Sequence, residues 1–286
     1  MQTILSPIQK VNAVIFDWAG TTIDYGCFAP LDVFIKVFGE KQIRITAEEA
    51  RKPMGLMKKD HIAELFRMEG VRAQWSSIYG KEPGEKEVES IYSCFEPKLM
   101  EILPKYCMPI KGVPALMESL RAKGLKIGST TGYTSKMMET VTREAKKNGY
   151  APDVVVTPDE VPAGRPFPFM CYLNAVRLGV FPLETMVKVG DTVSDIKEGV
   201  HAGLWSVGVL EGGSELGLSE KEVEAMDPLE LDSRKREAAA RFHAAGAHFI
   251  ADSIQETEII LEEINRLLGQ GIHPHGKRGK ANGKLL

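Results

Sequence analysis

Asp17 closes an apolar, β-branched run, Val14-Ile15-Phe16, and Trp18-Ala19-Gly20-Thr21-Thr22 then breaks the pattern. An acid that leaves a buried strand at its carboxyl end is placed to meet a ligand. Three more runs end in polar groups. Residues 125–129 lead into Thr130, Thr131 and Gly132, 154–157 lead through Asp159 and Glu160 to Arg165, and 186–190 lead to Asp191 and then Asp195. A carboxylate, hydroxyls on a glycine turn, a guanidinium and two further carboxylates on one sheet edge suit a phosphoryl group held with a divalent metal. Asp17 and Asp191 are hard oxygen donors of the kind Mg²⁺ takes. Arg165 offsets phosphoryl charge, and Thr131, on the turn at Gly132, offers a further hydrogen bond. With that charge offset, Asp17 can approach phosphorus as a nucleophile. Taken singly, Asp17, Thr131 and Asp195 are ordinary caps or turn formers and Arg165 an ordinary ion-pair partner. Their recurrence at equivalent strand ends carries the chemical reading, and no GxxxxGK[ST] or GxGxxG loop competes with it.

The elements that must position these groups are legible as pattern. Six short Val- and Ile-rich runs, at 13–17, 125–129, 154–157, 186–190, 205–209 and 248–251, lack polar alternation, as strands covered on both faces do. Helical spacing at 135–148, 167–178 and 193–202 separates several of them. The alternation predicts an α/β protein with a doubly wound parallel sheet. The first run is set apart from the second by more than a hundred residues with apolar spacing of helices at 29–38, 47–68, 71–79, 85–101 and 113–122. Residues 26–100 are too long for a loop and read as a helical domain inserted after the first strand, with 1–25 and 101–286 forming the core.

Composition narrows the function. A formal net charge of −3 gives no electrostatic case for nucleic acid or an anionic membrane. No apolar stretch is long enough to span a bilayer, and the polar start MQTILSPIQK does not read as a signal peptide. Four scattered cysteines without a CxxC pair argue against a zinc site or disulfide framework and for a reducing cytoplasm. Two segments carry no assigned role: the polar stretch 211–241 and the basic end 271–286, which reads as a flexible tail.

The segments FDWAGTTID, STTGY and VGDTVSD resemble, in order and spacing, the motifs of the haloacid-dehalogenase-like phosphotransferase superfamily. Through RKPMGLMKKDHI the likeness extends into the inserted helices. There, with Ala19, Lys58 and Arg165 taken together, the chain is similar to the phosphonatase family. That resemblance implies a Rossmann-like core, a helical cap, Mg²⁺ as cofactor and a homodimer joined through the cap. It also implies hydrolysis of the carbon–phosphorus bond of phosphonoacetaldehyde, a small phosphonate. In relatives that cut phosphate esters a second acid, expected at position 19, protonates the departing oxygen; here the residue is Ala19. Carbon is too poor a leaving group for any acid to rescue, but a lysine Schiff base turns the neighbouring carbonyl carbon into an electron sink.

The lysine must be an amine for part of the cycle, which calls for desolvation or nearby positive charge. Helical phase places Met54, Lys58, His61 and Leu65 on one face of a helix opened by Pro53, and Lys59 on another, without deciding between the lysines. The resemblance selects Lys58, assigns His61 to proton transfer and Met54 to the substrate site, and adds the backbone carbonyl of Ala19 to the metal ligands Asp17 and Asp191. It gives Asp195 the ordering of water on the metal. Cys27 and Tyr133 are similar in position to residues near the family's active site, with no role assigned. The rival readings are a Mg²⁺-dependent phosphomonoesterase or phosphosugar mutase of the same superfamily, and a catalytically silent phosphate-binding protein.

Overall fold

A computed structural model describes residues 10–275. The sheet begins with β1 (Ala13–Phe16), whose four side chains are all buried. Its alternation sends Ala13 and Ile15 into an apolar cluster with Cys171, Ala175 and Leu178, and Val14 and Phe16 into the larger cluster on the opposite face. Five helices follow before the chain returns to the sheet: α1 (Phe28–Glu40), α2 (Ala47–Arg51), α3 (Lys58–Arg67), α4 (Glu69–Tyr79) and α5 (Glu85–Ile102). They pack chiefly on one another, α1 and α3 against α5. Phe34 of α1 stacks on Phe95 of α5 with ring centroids 4.3 Å apart and on His61 of α3 at 3.9 Å.

The return runs through α6 (Val113–Ala122), β2 (Lys126–Thr130), α7 (Ser135–Lys147), β3 (Val154–Val156), α8 (Phe169–Leu178), β4 (Met186–Gly190), α9 (Val193–Ala202) and β5 (Trp205–Val209). It ends with α10 (Glu220–Ala225), α11 (Pro228–Ala245), β6 (Phe249–Ala251) and α12 (Thr257–Gly269). All pairings are parallel, in the order β3-β2-β1-β4-β5-β6. The order reverses between β1 and β4, and ligands of such sheets bind outside the carboxyl ends of the strands there. Phe16 is in register with Val189 of β4, so Asp17 and Asp191 leave adjacent strands at the same edge.

One expected element differs. The helix expected over 47–68 is broken between Arg51 and Lys58, because Pro53 cannot donate to the helical ladder and Gly55 takes a left-handed φ of 88°. Met54 therefore lies in a turn and not on the face of α3, although Lys58, His61 and Leu65 of that face are buried as expected. Within the stretch 271–286, read as a tail, His273 lies 3.2 Å from the Glu184 carboxylate and the Pro274 carbonyl 3.2 Å from Nε2 of His248. Residues 276–286 lie outside the described residues. Among the described residues no helix is long and apolar enough to cross a membrane.

Candidate active site

Asp17, Ala19, Cys27, Met54, Gly55, Lys58, Thr131, Gly132, Tyr133, Arg165 and Thr192 line one narrow cavity between the sheet edge and the turn before α3. Of the strand-end groups expected from the sequence, Asp17, Thr131, Gly132 and Arg165 line it and Asp191 and Asp195 stand beside Asp17, whereas Asp159 accepts from Ser135 and Glu160 from Thr157 and Arg177 away from it. A carboxylate oxygen from each of Asp17, Asp191 and Asp195 can be chosen so that all three lie within 4.8 Å of one another. Asp191 is aimed by two bonds: Thr21 Oγ1 donates to Oδ1 at 2.7 Å and the Ser214 amide to Oδ2 at 2.8 Å. Gly20, at φ 89°, lets the loop after β1 pass directly over that carboxylate, since a Cβ there would sit 2.3 Å from Asp191 Oδ2.

Arg165, 3% exposed, reaches three acids. Its NH2 lies 2.5 Å from Asp17 Oδ1, its NH1 3.0 Å from Asp195 Oδ1 and its Nε 3.0 Å from Glu198 Oε2. Thr130 Oγ1 accepts from Arg165 at 2.8 Å and donates to Glu198 at 2.9 Å. Lys188, fully buried in β4, donates to Asp195 Oδ1 at 2.6 Å, and Thr192 Oγ1 donates to Asp195 Oδ2 at 2.5 Å. Asp195 thus has protein donors on both oxygens, and Arg165 and Lys188 hold its carboxyl below the usual carboxylate range despite burial. Asp191 is pushed the other way, chiefly by burial and then by Asp17 and Asp195. A buried, mutually repelling set of oxygen donors fits a hard divalent cation; among the described residues Asp195 is engaged by two cationic side chains, Asp17 by one, and Asp191 by neutral donors alone.

Lys58 is the first residue of α3 and 3% exposed. Among the described residues it makes no ion pair; its ammonium faces the Tyr133 ring at 5.0 Å and the Phe34 ring at 5.9 Å. Burial lowers its pKa, Arg165 adds to the effect, and Cys27, Asp17 and Asp24 act against it. Its place at the positive end of a helix disfavours the charged form as well. Lys59 is different: it pairs with Glu89 at 2.6 Å and lies over Tyr92 outside the cavity. His61 sits behind Lys58. Its Nε2 lies 2.9 Å from the Ala50 carbonyl, which can only accept, so the proton is on Nε2; Nδ1 keeps a lone pair with no partner among the described residues. Burial, then Lys58, holds the imidazole well below its usual pKa.

Thr131 Oγ1 accepts from the Tyr133 amide at 3.0 Å, shaping the turn at Gly132. Gly132 is required for close approach, because a Cβ there would lie 2.5 Å from the Leu56 carbonyl oxygen. Reading the sequence missed Lys188, Glu198, Thr21 and Ser214. Lys188 had a signal, a cation inside the apolar run MVKVG, which a buried strand admits only beside an acid.

An edge of this kind, with its acids at the switch point of a parallel sheet, defines a phosphoryl-handling α/β hydrolase. A family model of the haloacid dehalogenase-like hydrolases matches residues 11–203. A phosphonoacetaldehyde hydrolase of Bacillus cereus is 56% identical over 90% of this chain and 98% of its own. That of Bacillus anthracis is 55% identical over the same shares. The crystal structure of a phosphonoacetaldehyde hydrolase-like protein from Oleispira antarctica superposes with a TM-score of 0.92 at 36% identity, covering 96% of this chain and 99% of that one. The chain belongs to the haloacid dehalogenase-like hydrolases and, within them, to the phosphonoacetaldehyde hydrolase family.

Proposed function

We propose that this enzyme hydrolyses the carbon–phosphorus bond of phosphonoacetaldehyde to acetaldehyde and phosphate, through an imine on Lys58 and a phosphorylated Asp17. The observation that carries the reading is a buried lysine without an ion pair among the described residues, sharing one cavity with Asp17 and with an alanine where an oxygen leaving group would need an acid. The Lys58 amine adds to the aldehyde, and the carbinolamine takes up a proton from solvent and loses water, giving a protonated imine. Asp17 attacks phosphorus; the electrons of the breaking bond pass to the imine nitrogen and leave an enamine. Protonation at carbon and hydrolysis release acetaldehyde and regenerate Lys58, and water then frees phosphate from Asp17. His61 is assigned the exchange of protons with Lys58; the Nδ1 lone pair of a buried imidazole three residues along α3, unpartnered among the described residues, supports this reading. Arg165, Thr131 and the backbone at Gly132 hold the phosphoryl oxygens, and Met54 packs against the substrate.

Mg²⁺, held by Asp17, Asp191 and the carbonyl of Ala19, would offset the charge on the phosphoryl group as the carboxylate approaches. Asp195, engaged by Lys188, Arg165 and Thr192, supports this pair from behind. The helices within 26–100 act as a cap that closes over the sheet edge and excludes water. Two copies pair through that cap, where Ile35, Ile78 and Tyr79 are exposed, and elution as a monomer on gel filtration would oppose this. Four unpaired cysteines agree with a reducing, cytoplasmic setting.

Acetaldehyde production from phosphonoacetaldehyde, measured with and without EDTA, tests the activity. Lys58→Arg keeps the charge but cannot form the imine and should lose turnover; near-normal turnover would refute the covalent route. Borohydride with substrate should label Lys58, and a label on Lys59 would refute the assignment.

A further inference from the structure

The polar stretch after β5 takes no part in that chemistry, yet its first loop, residues 211–217, touches the site through the Ser214 amide on Asp191. The loop is anchored from two sides. From α11, Arg241 donates to Glu215 Oε2 at 2.5 Å and to the Glu215 carbonyl at 2.7 Å, while Lys235 donates to Glu211 at 2.6 Å. The other Glu215 oxygen accepts from the Val193 amide, at the start of α9, at 3.4 Å.

The second anchor comes from the helical segment. Arg51, the last residue of α2, donates from NH1 to the Gly26 carbonyl at 2.7 Å and to Ser214 Oγ at 3.3 Å, and from NH2 to the Gly217 carbonyl at 3.4 Å. The Gly26 amide in turn donates to the Gly212 carbonyl at 2.7 Å, tying the loop to the chain that leaves the sheet. The fit around the guanidinium is tight. Phe28 lies 5.1 Å beneath it, and a Cβ on Gly217, whose φ is 69°, would stand 3.0 Å from Arg51 Nε. Among the described residues Arg51 is the one side chain of α1–α5 hydrogen-bonded to this loop.

We propose that Arg51 is a positioning residue for Asp191, acting through loop 211–217. When α2 is seated on the core, its guanidinium fixes Ser214, and the Ser214 amide fixes the carboxylate that holds the cation. Seating and metal binding then favour each other, because each orders the same loop. The inference rests on the reading of Asp191 as a metal ligand.

The test is Arg51→Ala and Arg51→Lys in the full-length protein, followed by Mg²⁺ calorimetry without substrate and amide exchange across 211–217. Arg51→Ala should weaken Mg²⁺ binding on the order of 10-fold, the effect of about one net charged hydrogen bond, and speed exchange in the loop. Arg51→Lys, which keeps one donor, should fall between it and the wild type; if the alanine variant does not fold, the lysine variant carries the test. Turnover at saturating Mg²⁺ should stay within about 3-fold of normal, with the loss confined to the Mg²⁺ concentration required. Borohydride labelling of Lys58 should be unchanged. Wild-type Mg²⁺ affinity and loop exchange in both variants would overturn the proposal while leaving the metal reading intact. Absence of Mg²⁺ binding by the wild-type protein would overturn both.

Discussion

In the proposed route Lys58 trades stability for reactivity. An ammonium desolvated among Phe34, Tyr133 and Met54 lacks a carboxylate partner at ion-pair distance among the described residues, so the folded protein disfavours its charge. Lys58→Met keeps the volume and removes the charge. It should abolish acetaldehyde release yet raise stability at neutral pH by about 1–2 kcal/mol, read by denaturant unfolding; a destabilised variant would mean the amine is well accommodated. The lowered pKa also sets a sign for reactivity. Attack needs the free amine, so borohydride trapping should rise with pH and level off below the ordinary lysine range near 10.4. A plateau reached only at or above that value would contradict the role of burial. At this scale the sequence was informative about residue types but not about the choice between adjacent lysines. Helical phase leaves Lys58 and Lys59 equivalent, because burial depends on which face α5 and the Tyr133 loop cover, and that is tertiary.

At the scale of elements, two loops meet where neither has room to spare. Gly132 passes 2.5 Å, measured from an ideal Cβ, from the Leu56 carbonyl, so Gly132→Ala must push the turn that carries Met54 and Gly55 away from the sheet edge. The expected outcome is a fall in kcat/KM of about 10–100-fold, the effect of a 1–3 kcal/mol misfit, with Lys58 still open to labelling at high substrate. Unchanged kcat/KM would show that the two loops separate freely. Asp24 makes a second prediction. It caps α1 by accepting from the Phe28 and Ala29 amides, both at 3.0 Å, where the chain leaves the core through left-handed residues at 24, 26 and 27. Burial raises its pKa to about 7 against those amides and Arg51. The folded protein then holds a proton there that the unfolded chain gives up near 4, so stability from this group is present below about pH 4 and lost as pH rises through 7. Asp24→Asn should flatten the fall in unfolding free energy between about pH 4 and 7; an unchanged profile would place the titration elsewhere. Strands and crossovers were legible because parallel strands are apolar throughout, whereas the break at 52–57 was hidden by Met54 and Leu56 continuing the helical spacing.

Across the whole molecule, the sheet edge is held together by charges that do not balance. Asp17, Asp191, Asp195 and Glu198 oppose Arg165 and Lys188, all six of them buried, and one Glu198 oxygen has no partner among the described residues. A divalent cation would cancel the excess, which makes metal binding a source of fold stability as well as chemistry. No strand-by-strand reading could reach this, since Lys188 and Glu198 meet only after β4 and α9 have packed beside Arg165. Mg²⁺ at about 100 times its dissociation constant should stabilise the folded protein by about 2.7 kcal/mol, seen as a higher Tm than in EDTA. Lys188→Met removes a buried partner of Asp195 and should lose about 3–5 kcal/mol in EDTA. It also deepens the negative excess, so the added Mg²⁺ should recover more stability in the variant than in the wild-type chain. Equal Mg²⁺-induced shifts in the two proteins would mean that Lys188 supports Asp195 locally and that the six charges do not act as one cluster.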